Sequence, residues 1–199
     1  MSAISAKEVK ALRDRTGAGV LACREALSEA DGDVERAVEI LRARGQAQAA
    51  KRAGAEASEG AVQSYIHAGN KIGVLVEVDC QTDFVARNEK FIEFARDLAL
   101  HIAAAAPIAV TEADVPAEDR EREERIATEQ AADRPENVRE RIVAGKLDKW
   151  LDDVVLLRQK HVNEDKHGGK TIEELRAQLA SETGENVVIR RFSRFAVGA

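Results

Sequence analysis

From residue 72 to residue 80 the chain alternates in strict period 2. Ile72, Val74, Val76, Val78 and Cys80 fall on one side of an extended backbone, and Gly73, Leu75, Glu77 and Asp79 on the other. This is the signature of a strand with one buried face. The alternation stops at Gln81-Thr82-Asp83. Phe91, Ala95, Leu98, Ala99 and Ile102 then recur at helical spacing and predict a helix over 89–105. An acid and a large aromatic, Asp83 and Phe84, therefore stand where a strand gives way to a helix, an exposed and stiffly held place. Two readings are open. Thr82 or Asp83 caps a helix and Phe84 staples it to the core, or the pair faces outward as a recognition head.

The same patterning lays out the rest of the chain. Residues 1–45 read as three short helices. The first carries Val9 and Leu12 and ends at Thr16-Gly17-Ala18-Gly19. The second places Cys23, Ala26, Leu27 and Ala30 on one face, and the third carries the stripe Val34, Ala37, Val38, Leu41 and stops at Gly45. Residues 46–60 lack large apolar side chains and read as a tether, helical in its Ala-rich first part. The boundary near Ala53 separates a three-helix domain, 1–53, from a core, 54–199. The core opens with a hairpin, in which Val62, Ser64 and Ile66 alternate with Gln63, Tyr65 and His67 before the turn Ala68-Gly69-Asn70-Lys71.

Ala117–Asp133 is polar on most faces, with possible i, i+4 pairs Glu118/Arg122, Glu121/Arg125 and Arg120/Glu124. Pro135 restarts a helix with Val138, Ile142 and Val143, which Gly145 stops. Together these predict a helical arm over about 117–144. Leu147, Trp150 and Leu151 suggest a short buried helix, 161–169 a polar loop, 171–182 a helix, and 186–197 a strand pairing with the hairpin. The expected class is α+β: a three-helix N-terminal domain, then a three-stranded antiparallel sheet packed with helices and a protruding helical arm.

Charge and chemistry narrow the function. A net charge of −6 and a pI near 5.4 speak against a general nucleic-acid footprint. No run approaches the roughly 18 apolar residues of a membrane span, and the N-terminus has no hydrophobic signal region; the expected location is cytoplasmic, with no membrane partner. Cys23 and Cys80 form no framework and fall on apolar faces, as buried free thiols. His67, His101, His161 and His167 lack zinc spacing, and no nucleophile–base constellation or phosphate loop is present. Hence no metal, no cofactor and no covalent catalysis are expected. Arg190-Arg191-Phe192-Ser193-Arg194-Phe195 could be an RNA-binding strand, or a sheet strand with aromatics buried and arginines out; an acidic chain favours the second.

The run Thr82-Asp83-Phe84-Val85-Ala86-Arg87-Asn88 resembles the signature of elongation factor Ts, the guanine-nucleotide exchange factor for the translational GTPase elongation factor Tu. Leu12–Ala26 is similar to that family's N-terminal signature, and Ile66–Glu77 and Gly184–Arg191 to its core strands. The likeness runs from Met1 to Gly198 with the motifs in the family's order. It implies that the N-terminal helices take a ubiquitin-associated-like fold, without implying ubiquitin binding. It further implies that Phe84 wedges between GTPase helices near the magnesium side while Asp83 disturbs the metal and phosphate loop, with Thr82 and Val85 holding the turn. GDP is released, and the factor leaves when GTP binds.

The resemblance also offers Val20, Leu21 and Arg24 as partner contacts, Val20 and Leu21 being otherwise core. His67 is a contact or an ordinary strand-end residue. Gly184 lies in a loop beside the Asp83-Phe84 corner, with Thr183 replacing the family's apolar residue. Long family members carry two core subdomains where this chain has one hairpin-helix-arm-strand set, which implies a noncovalent homodimer through the core sheets. The rival class is a peptide-binding adaptor with residues 1–45 as the recognition module and no need to expose Asp83-Phe84; an enzyme is a distant third.

Overall fold

The structure, a computed structural model, describes residues 4–16, 18–52 and 54–198, without the side chains of residues 46 and 48–52. Its contacts divide the chain into two compact units, neither continuous in sequence: Met1–Ala61 with Asp79–Phe91 and Glu174–Val188, and Val62–Val78 with Ile92–Glu173 and Ile189–Ala199.

In the first unit, helices α1 (Ala6–Thr16), α2 (Val20–Glu29) and α3 (Val34–Arg52) enclose a small core of Val9, Leu12, Cys23, Ala26, Leu27, Ala30 and Ala37, with Val38 and Leu41 packed against it. The predicted stripes of α1 and α2 are buried; in α3 Ala37 is buried and Val38 and Leu41 partly so, while Val34, in the first turn of the helix, is 38% exposed. Asp31 and Gly32 take positive φ to turn the chain, and the Asp33 carboxylate accepts the Arg36 N–H at the start of α3. Gly45 does not stop α3, which runs on through the first part of the expected tether. A glycine in a helix interior costs only about 1 kcal/mol, and the alanine and glutamine that follow favour the helix. A Cβ at Gly45 would lie 3.5 Å from the Ser181 hydroxyl, an ordinary van der Waals contact. The boundary expected at Ala53 and the Lys51-Arg52 side chains lie outside what is described.

Strands β1 (Glu59–Ile66), β2 (Ile72–Cys80) and β3 (Val188–Ala196) form an antiparallel sheet in the order β1-β2-β3. Gly69 and Asn70, both at positive φ, close the hairpin. Val74, Val76, Val78 and Cys80 are buried, as the alternation requires. The opposite face is also apolar and is open: Val62, Ile66, Leu75, Phe195 and Val197 are exposed. Ile66 shares that face with Gly73, whose missing Cβ would sit 3.1 Å from it, and Glu77 pairs there with Arg191. The last strand thus departs from the expected pattern. Phe195 is 71% exposed rather than buried, while Arg194, half-buried, donates from its guanidinium to the Ala103 carbonyl.

Helix α4 (Asp83–Ala86) is one turn, followed by α5 (Glu89–Ala105), in which Phe91, Ala95, Leu98, Ala99 and Ile102 are all buried. In the second unit α6 (Ala117–Ala131) and α7 (Glu136–Val154) pack along each other, with Ala127 and Ala131 buried and Lys146 donating to Gln130. Arg122 pairs with Asp119 at i, i+3 instead of with Glu118. Gly145 does not stop α7, which absorbs the separate short helix expected around Trp150; good helix formers flank the glycine, and Leu151 anchors the C-terminal half in a cluster with Ala109, Val115 and Val155 against which Trp150 rests half-buried. The expected polar loop 161–169 contains a short helix, α8 (Glu164–His167), and begins with a buried residue, His161. Helix α9 (Ile172–Thr183) leads through Gly184 (φ +76°) into β3. Among the described residues no helix is long and apolar enough to cross a membrane.

Candidate functional site

The corner between β2 and α5 belongs to the first unit and is built from hydrogen bonds. Thr82 is extended, and its hydroxyl accepts the Val85 N–H, so it caps α4. The same hydroxyl donates to the Glu185 carboxylate at 2.6 Å. That carboxylate also accepts the backbone N–H groups of Gln81 (2.9 Å) and Thr82 (3.1 Å). The Cys80 thiol donates to the Thr82 carbonyl at 3.2 Å. Burial, and secondarily the negative charge of Glu185, pushes that thiol up to about 11, so it stays a protonated donor at neutral pH. The Asn186 N–H donates to the Gln81 side-chain oxygen, and the Asn186 side chain to the Ala55 carbonyl.

The corner presents Phe84. Its side chain is 83% exposed, so it does not staple a helix to the core. Val85 and Asp83 are half-buried, Ala86 is buried, and Asp83 forms an i, i+4 ion pair with Arg87 at 3.2 Å. Gly184 is exposed and, by its positive φ, reverses the chain so that Glu185 reaches the corner. Thr82, Asp83, Phe84, Val85 and Gly184 thus come together. Glu185, Asn186 and Cys80 complete the constellation. The first two were legible only as part of a loop sequence, because a bond spanning more than 100 residues leaves no periodic trace.

The other expected site residues lie elsewhere. Val20 and Leu21, 56% and 69% exposed, are not core, and Arg24 is exposed beside them on the first turns of α2. Val20 and Arg24 line a shallow depression with Ile4, Val9, Lys10 and Arg13. His67 belongs to the second unit. It is exposed after β1, and its Nδ1 lies 3.0 Å from the Tyr65 hydroxyl.

A model of the family described as Elongation factor TS matches residues 24–168. A protein of Desulfotalea psychrophila named elongation factor Ts is 52% identical over 200 residues, covering 99% of this chain and 100% of that one. The chain belongs to the elongation factor Ts family. An elongation factor Ts of Solidesulfovibrio magneticus is 50% identical over 100% of this chain and 98% of its own. That of Thermosynechococcus vestitus, 50% identical over all of this chain, is matched over only 67% of its own length.

The three remaining histidines form a cluster in the second unit that is committed to structure. His101 and His161 are buried, with ring centroids 5.2 Å apart, and His167 stands 4.1 Å beyond His161. His101 Nε2 donates to the Gln159 side-chain oxygen, and its Nδ1 accepts the Val162 N–H. His161 Nε2 donates to the Asp97 carbonyl, and its Nδ1 accepts the Asn163 N–H. Both rings are thereby held as neutral Nε2–H tautomers. Burial agrees: it lowers His101 and takes His161 down to about 4. His167 and Lys166 converge on the Asp97 carboxylate, Lys166 also reaching Glu93. Among the described residues no group of three or more side chains is arranged to hold a metal ion.

Proposed function

We propose that this chain is a guanine-nucleotide exchange factor for elongation factor Tu, without covalent chemistry or a cofactor of its own. It binds the GDP-bound GTPase, promotes GDP release through the Asp83-Phe84 corner near the magnesium and phosphate site, and leaves when GTP enters. Family membership supports the activity. The observation that carries the mechanism is Phe84, a fully presented aromatic on a corner fixed by six hydrogen bonds through Thr82, Gln81 and their partners. A pre-held aromatic covers a large apolar area with little entropy lost on docking. Exchange requires contacts favouring the nucleotide-released state of the partner, and by linkage GDP and the factor weaken each other's binding equally. Thr82 and Val85 shape the turn, and Asp83 acts on the metal side. Val20, Leu21 and Arg24 provide a second contact, with His67 and Gly184 at its margins.

The remaining features fit the same reading. The three helices of residues 1–53 act as a ubiquitin-associated-like docking domain, and 54–199 as the core, with α6 and α7 as its projecting arm. Two copies associate noncovalently through their sheets, for which the uncovered Val62, Ile66, Leu75, Phe195 and Val197 are the support. Activity is cytoplasmic and involves neither nucleic acid nor membrane. The test is release of a fluorescent GDP from elongation factor Tu. Addition of the chain accelerates release; no acceleration would sink the reading and leave the adaptor class in its place.

A further inference from the structure

Phe84 has no core contact to aim it, so its direction is set by the backbone of residues 81–85. Two N–H groups in that stretch, of Gln81 and Thr82, sit between the last ladder bonds of β2 and the first turn of α4, where neither element supplies an acceptor. One carboxylate, Glu185, takes both and the Thr82 hydroxyl as well. Such charge-assisted bonds are about twice as strong as neutral ones. The reach of Glu185 in turn depends on Gly184, and Asn186 adds a fourth bond to Gln81.

We infer that Glu185 is a positioning residue for exchange: it holds the corner in the conformation that presents Phe84, and so sets the fraction of molecules competent to engage the partner. This rests on the exchange-factor reading. A protein with a competent fraction f binds with an apparent dissociation constant raised by 1/f, while the engaged complex is unchanged. Loss of Glu185 therefore raises the factor concentration needed for half-maximal GDP release and leaves the limiting release rate alone.

The experiment compares wild type, Glu185→Ala and Glu185→Gln in fluorescent-GDP release from elongation factor Tu over a range of factor concentrations. Amide hydrogen exchange at Gln81 and Thr82 is followed alongside, and far-UV circular dichroism checks that each variant is folded. Glu185→Ala is expected to shift half-saturation upward about tenfold and to speed exchange at both amides. Glu185→Gln, whose amide oxygen can still accept the two N–H groups, is expected to shift by roughly threefold. Limiting rates stay within a factor of two of wild type, roughly. If both amides lose protection and half-saturation does not move, the inference is overturned. It is equally overturned if half-saturation rises with protection intact, because Glu185 would then touch the partner directly. If wild type itself accelerates nothing, the exchange-factor reading fails first, visible in the control alone, and the inference falls with it.

Discussion

The molecule exposes apolar side chains in two very different ways. At the corner, one aromatic stands alone, half-buried Asp83 and Val85 on either side of it in sequence, and it is held by a polar frame of Thr82, Glu185, Cys80 and Asn186. On the open face of the sheet, Val62, Ile66, Leu75 and Phe195 from the three strands, with Val197 just past β3, expose apolar side chains beside the Glu77–Arg191 pair. A single clamped aromatic suits a reversible wedge, which must enter and leave during each exchange cycle. A wide apolar face on rigid strands suits a lasting partnership, because its free energy scales with the area removed from water. The difference teaches that exposed apolar groups of one molecule can rest on unlike frameworks, a hydrogen-bonded corner and a sheet face, and that under the proposed function the two would serve unlike contacts.

The sharpest way to break the comparison is to charge the sheet face. If two copies associate through this face as proposed, Leu75→Lys, at a site 51% exposed in the single chain, is expected to weaken that association by about a hundredfold or more, since an unpaired ammonium would be buried in the proposed dimer. Analytical ultracentrifugation reads this. Phe195→Ala removes area without adding charge and should weaken it about tenfold. Neither change alters the corner, so a variant that lost GDP release as monomer and dimer alike would merge the two surfaces into one.

Acid separates the two regions more gently. His161 lies in the unit that bears the sheet face, flanked by His101, His167, Asp97 and Lys166. Its folded value near 4, against an ordinary 6.5, means that the unfolded chain binds more protons between those limits. Stability contributed by the neutral ring is therefore complete above about pH 6.5 and is lost as the pH falls toward 4. Urea midpoints should drop progressively through that window, and the His161→Phe variant should flatten the slope. An unchanged midpoint between pH 7.5 and 5 in the wild type would show that the ring is not held neutral.

Much of this was legible in the sequence. Strict alternation located β2 residue for residue, and the Phe91–Ile102 stripe gave the buried face of α5. The corner was legible because a strand period breaks into a helix period there and because its heptapeptide resembles a family signature. What was not legible has a common physical cause. Gly45 and Gly145 carry stop signals that tertiary packing overrides, since one helical glycine costs less than a good helix on either side of it supplies. The outward face of β1 and β3 escaped periodicity because both sheet faces are apolar, so alternation does not say which is covered. Glu185 and the His101–His161 contacts join residues about 60 to 100 positions apart, and such pairings leave no mark on local spacing.

The central claim is that Phe84 acts on the partner and not on its own fold. Its direct test is fluorescent-GDP release from elongation factor Tu with wild type and Phe84→Ala at saturating concentrations of each. An 83% exposed side chain contributes little to stability, so the variant should melt within about 1 °C of wild type. Its limiting release rate should fall by about tenfold or more. Equal limiting rates for the two proteins would contradict the account, and the wedge role would have to be given up.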